Sequence, residues 1–168
     1  FTLIDSDDFE NVVMGLNLLE QLAETPQDVY DVLNQGQPIT DQDFGSFSSK
    51  HSTYIRIFTL GLLAGLGDLW ALNIKWLEHL ENQMGSGYAL LQIYGIPENI
   101  GNLKGLEKLV LWDMNLKYLP ESMANLTNLF HLDLGNNALE SLPDWIGDLK
   151  SLIFLSFFQN SLEKLPDS

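Results

Sequence analysis

Residues 97–119, PENIGNLKGLEKLVLWDMNLKYL, residues 120–142, PESMANLTNLFHLDLGNNALESL, and residues 143–165, PDWIGDLKSLIFLSFFQNSLEKL, are three copies of one 23-residue pattern, and Pro166 opens a fourth. The leucines keep the same register. Leu103, Leu126 and Leu149 correspond, as do Leu106, Leu129 and Leu152, then Leu109, Leu132 and Leu155, then Leu116, Leu139 and Leu162. Leu111 and Leu134 are followed by Phe157, and Met114, Asn137 and Asn160 share one column. Self-similarity at a fixed period of this length marks a stacked-repeat architecture, in which one turn cannot bury its apolar residues without a neighbour.

The period within each copy assigns local structure. Leu109-Val110-Leu111 alternates with period two, so a short strand points its leucines inward and Val110 outward. The prolines with an acid after them, Pro97-Glu98, Pro120-Glu121 and Pro143-Asp144, suit the first turn of a short helix or 3₁₀ segment on the opposite side. The asparagine column is expected to tie the turns together through side-chain hydrogen bonds to backbone. Met114 cannot make them, so an altered turn is expected in the first copy.

These residues match L-x-x-L-x-L-x-x-N-x-L-x-x-L-P-x-x-I, and residues 96–168 resemble the leucine-rich repeat family, in the 23-residue subclass of Ras-pathway scaffold proteins and many bacterial proteins. The resemblance implies an α/β solenoid with short parallel strands on a concave face, and protein binding as its use. Taking the outward residues of each strand gives the expected partner-binding surface: Lys108, Val110, Trp112 and Asp113, then His131, Asp133, Gly135 and Asn136, then Phe154, Ser156, Phe158 and Gln159. Trp112, Phe154 and Phe158 would be large exposed aromatics, the residue type that dominates binding energy.

Residues 1–85 resemble no family, and their period is helical. Phe9, Val12, Val13, Leu16, Leu19 and Leu22 share one face after a capping-box-like start at Asp7 and Glu10. Thr25-Pro26-Gln27-Asp28 starts a second helix faced by Val29, Val32 and Leu33 and stopped by Gly36. Gln35 to Lys50 reads as a loop. Two more helices are expected over Thr53–Leu66 and Asp68–Met84, the second with Leu69, Leu72, Trp76, Leu80 and Met84 in one stripe. The domain reading is therefore a small all-α bundle over 1–85, capping the first repeat, and a leucine-rich array over 86–168. Tyr88–Tyr94 would be a divergent first repeat, because Ile93 and Ile96 stand one period before Leu116 and Leu119. Pro166-Asp167-Ser168 begins another copy and stops, so the array is expected to be truncated or covered by a partner chain. If the chain ends there, symmetric self-association through the C-terminal edge is expected.

Composition narrows the function. With 23 acids against 8 bases the net charge is −15, which disfavours nucleic-acid phosphates and anionic bilayers and suits a neutral or basic protein partner. Residues 1–50 hold ten acids and one lysine, whereas residues 97–168 hold ten acids and five lysines. Cysteine is absent, which removes disulfides, thiolate metal sites and thiol nucleophiles, and favours a cytoplasmic compartment as the expectation. The chain opens on Phe1, so a natural start upstream is expected. Ile55–Ile74 is apolar, but Asp68 alone would cost roughly 3 kcal/mol in a bilayer, and Gly61, Gly65 and Gly67 divide it into two buried segments. Asn125-Leu126-Thr127 matches a glycosylation acceptor that arises easily within such repeats.

None of His51, His79 and His131 stands in a ligand or nucleophile motif. His131 and Asp133, two apart on one strand face, have the chemistry of a general-base pair but no nucleophile beside them. The reading is thus a protein-binding module without cofactor, metal or catalysis. The alternative is an enzyme or regulatory domain with its site in the N-terminal helices, which a deep pocket with convergent carboxylates would favour.

Overall fold

The computed structural model describes residues 9–33, 35–38, 52–72, 75–78 and 94–166. Three helices come first: α1 (Phe9–Leu22), α2 (Pro26–Leu33) and α3 (Ser52–Gly65). A single turn, α4 (Leu69–Leu72), leads to β1 (Trp76–Glu78). The remainder alternates 3₁₀ segments with strands: η1 (Glu98–Asn102), β2 (Lys108–Val110), η2 (Glu121–Asn125), β3 (His131–Asp133), η3 (Asp144–Asp148) and β4 (Phe154–Ser156). The strands form one parallel sheet in chain order β1-β2-β3-β4. Leu109 and Leu132, the middle residues of β2 and β3, are wholly buried, with half-buried residues on either side. This is the alternation that the period-two reading requires.

β1 corrects the sequence reading. The stripe from Leu69 to Met84 does not form one helix: helical structure stops at Leu72, and Trp76–Glu78 pairs in parallel with Lys108–Val110. Asp68 begins the short turn by accepting a hydrogen bond from Ala71 N at 2.9 Å, and Lys75 O accepts from both Glu107 N and Lys108 N. Ladder hydrogen bonds to β2 replace the intrahelical ones, so tertiary pairing overrides a local helical period. Sheet and helices therefore meet before residue 85. Trp76 and Lys108 are 32 positions apart, whereas the later strands recur every 23, so the first repeat is nine residues longer than the others. Leu80, Met84 and Tyr88–Ile93 lie outside the described residues, as do Asp7, His51, His79 and most of the 35–50 loop.

The turns obey the asparagine rule. Asn137 donates from Nδ2 to Leu111 O and Leu134 O at 2.8 and 2.9 Å, and its Oδ1 accepts from Met114 N and Leu116 N at 2.9 Å each. Asn160 repeats the arrangement, donating to Leu134 O and Phe157 O and accepting from Leu139 N. Met114 is buried in the same column, and Asn115 after it has φ 51°, a left-handed conformation that Ala138 and Ser161 do not share. The first turn is thus altered where the asparagine is missing. On the opposite side Pro97, Pro120 and Pro143 stand immediately before the 3₁₀ segments, and their carbonyls accept from Ile100, Met123 and Ile146.

The helices complete the core. α2 begins with a reciprocal cap in which Thr25 N donates to Asp28 Oδ2 at 2.7 Å, and Gly36 N closes its end on Tyr30 O. Asp28 is held below the usual carboxylate range by the Thr25 side-chain and backbone hydrogen bonds and that from Glu24 N. The Tyr30 hydroxyl donates to Asp68, tying α2 to the start of α4. On α1, Val12, Leu16 and Leu19 are buried as expected, but Leu22 is 67% exposed, because the helix ends there and the chain turns away. α3 lies directly on η1. A side chain on Gly61 would reach within 2.4 Å of Asn99 O, and Asn99 and Asn102 donate to the carbonyls of Phe58 and Gly61 at 3.0 Å. Ile57 and Leu63 of α3 join Ile100, Leu103 and Leu106 in one continuous apolar core. Among the described residues no helix is long and apolar enough to cross a membrane.

Candidate functional site

The sheet register sorts the outward residues into rows. Lys108, His131 and Phe154 form the first row and Val110, Asp133 and Ser156 the second, with Trp76 and Glu78 at the matching positions of β1. Trp112, Gly135 and Phe158 follow one step beyond the strands, and Asp113, Asn136 and Gln159 close the face, all three with φ between 54° and 61°. The repeated left-handed turn explains why small or polar residues occupy this last row. Asn136 Nδ2 donates to Asp113 Oδ1 across adjacent repeats.

The aromatic residues determine the character of the surface. His131 and Phe154 stack with centroids 4.2 Å apart and planes at 11°. A β-carbon at Gly135 would lie 2.6 Å from the Phe158 ring and 2.9 Å from that of Trp112, so the two rings close over the backbone between them. Glycine is the residue that permits this approach. Phe154 and Phe158 are 44% and 56% exposed, and Trp112 is half-buried. Val110, Ser156 and Asn136 are half-buried, and Gln159 is exposed. Six of the eleven candidate residues therefore stand at the outward positions of β2, β3 and β4, and Trp112, Asp113, Asn136, Phe158 and Gln159 follow them in the adjoining turns.

Asp133 Oδ1 accepts from Gly135 N at 3.0 Å, and the His131 ring stacks on Phe154, so each has its own structural role. Among the described residues no group of three His, Cys, Asp or Glu side chains could hold a metal ion. Lys75 pairs with Glu107 at 2.8 Å beside the strands, and that pair is half exposed.

Two features escaped sequence reasoning. Phe130 and Ile153 occupy the position just before each strand and stand 38% and 87% exposed, widening the apolar surface. Reading the 107, 130, 153 column down the alignment would have found them. Trp76 and Glu78 belong to the rows through a strand that the helical stripe concealed.

A family model described as a leucine-rich repeat region matches residues 60–166. No curated protein shows significant similarity to the chain. Among solved structures, the crystal structure of an internalin C2 from Listeria monocytogenes is similar at 18% identity and a TM-score of 0.41, covering 90% of this chain and 76% of that one.

Proposed function

This chain belongs to the leucine-rich repeat family, and we propose that it is a protein-binding module that takes its partner on the outward face of the parallel sheet. The supporting observation is the aromatic row on that face, with Phe158 and Trp112 packed about Gly135 and Phe154 stacked on His131. Exposed aromatic rings, already held by one another, bury much area on binding at little entropic cost. In this reading the array curves as a solenoid with this face concave, Lys108, Asp113, Asp133, Asn136, Ser156 and Gln159 form the polar surround, and Val110 adds apolar area among them. The net charge of −15 selects a neutral or basic partner. The helices serve as the cap of the first repeat, α3 covering the apolar flank that η1 would otherwise present to water.

Capturing proteins from the source lysate on the intact chain, with a Trp112→Ala/Phe158→Ala variant as control, tests the reading. Each substitution should weaken the captured partner by about 2 kcal/mol, roughly thirtyfold, with the fold retained. Unchanged affinity in the folded variant would remove the sheet face from consideration.

A further inference from the structure

Behind the sheet, where α1 and α3 meet the start of the array, lies a cleft of about 320 Å³ that the protein-binding face does not use. This is within the size range of small-molecule sites, roughly 300–1,000 Å³. Its walls are aromatic. Tyr54 and Phe58 stack along α3 with centroids 6.3 Å apart, and Tyr94 stands 6.2 Å from Tyr54 with its plane turned by 57°. Tyr118 forms another wall, its ring packed over the backbone of Gly95 at a distance that leaves no room for a side chain there. π-faces are thus presented from more than one direction.

The polar lining has one sign. Glu20 of α1 and Glu98 of η1 line the cleft, and among the described residues no Lys, Arg or His does. Asn99 holds the walls in place, donating to Glu20 Oε1 at 3.3 Å and to Phe58 O at 3.0 Å. Among the described residues neither glutamate has a cationic partner. The Tyr54 phenol is pushed up to about 12, first by burial and then by the charges of Tyr94, Glu20 and Tyr118, so it stays neutral and presents an intact ring.

From this lining we infer that the cleft binds an organic ammonium group, either a free alkylammonium compound or a methylated lysine side chain. A hydrated metal ion would find two carboxylates, and among the described residues no third carboxylate or histidine stands with them to replace its water. A neutral apolar ligand would desolvate Glu20 and Glu98 without compensation. An anion would meet two negative charges. A methylated ammonium satisfies both features, with its methyl groups against the π-faces and its charge near the carboxylates.

Calorimetric titration of the intact chain with choline and with its neutral carbon isostere, 3,3-dimethyl-1-butanol, tests the inference directly. Choline should saturate with a dissociation constant on the order of 1 mM, and the isostere should bind at least about tenfold more weakly. Glu20→Gln/Glu98→Gln and, separately, Tyr118→Leu should each weaken choline roughly tenfold. These side chains are exposed, so thermal melting should not change. An otherwise uncharged hexapeptide with one trimethyllysine separates the sources. Tighter binding than choline identifies a protein side chain, and weaker binding a free compound. The Trp112→Ala/Phe158→Ala variant should bind choline normally, which keeps this site independent of the sheet face. Equal affinity for choline and the isostere, no saturation below about 50 mM, or indifference to loss of both carboxylates would overturn the assignment.

Discussion

Replacing Leu132 with alanine is expected to destabilise the protein by about 2–5 kcal/mol, read as a lower urea midpoint. Leu132 is the middle residue of β3, wholly buried, and lies between Leu109 and Leu155 in register. Removing three carbons there opens a cavity inside a stack whose turns are held at a fixed spacing by ladder hydrogen bonds on both sides, so the site cannot collapse to fill it. In a quasi-linear array the loss falls on two interfaces at once, loosening the turns before and after it. The same change at Leu155 should cost less, because that side chain is already half exposed. Equal stability of Leu132→Ala and the parent would refute the inward register, and equal losses at Leu132 and Leu155 would refute the gradient of burial along the array.

That register was legible because three aligned copies average out accidents of propensity. One strand of three residues carries almost no periodic signal, but β2, β3 and β4 occur at the same offset from Pro97, Pro120 and Pro143, and the column of leucines identifies them together. The outward rows followed from the same alignment. β1 had no such support. Nine additional residues between Trp76 and Lys108 break the period, and Leu69, Leu72 and Trp76 fall at helical spacing. What makes Trp76–Glu78 a strand is the edge of β2, a partner 32 residues away that no local window contains. The cleft was hidden for a related reason. Tyr54, Tyr94 and Tyr118 are unremarkable in sequence, and they converge only because Gly61 lets α3 settle onto Asn99. The Gly135 gap between two rings is likewise a property of adjacent repeats and not of one.

The asparagine column separates a hydrogen-bond role from a packing role, and Asn137→Ala should expose the difference. Its carboxamide holds the carbonyls of Leu111 and Leu134 and the amides of Met114 and Leu116 at 2.8–2.9 Å, with Gly135 O a longer third acceptor at 3.2 Å. Alanine leaves Leu111 O and the amides of Met114 and Leu116 without this partner, while Leu134 O keeps Asn160 Nδ2 at 2.9 Å. With a cost of about 1–3 kcal/mol for a single buried group left unsatisfied, and partial relief by water, a total loss of roughly 3 kcal/mol is expected. Asn137→Asp should not rescue it. The carboxylate still accepts from the two amides but sets negative charge against the two carbonyls, and only protonation in acid would restore a donor. Its deficit relative to the parent should therefore shrink as the pH falls through the carboxylate range. Asn160→Ala should cost less, because only Leu139 N donates to that side chain and its turn is more exposed. Urea denaturation of the three variants measures the order. If Asn137→Ala and Asn160→Ala lose the same stability, or Asn137→Asp matches the parent at neutral pH, the ladder does not hold the turns together.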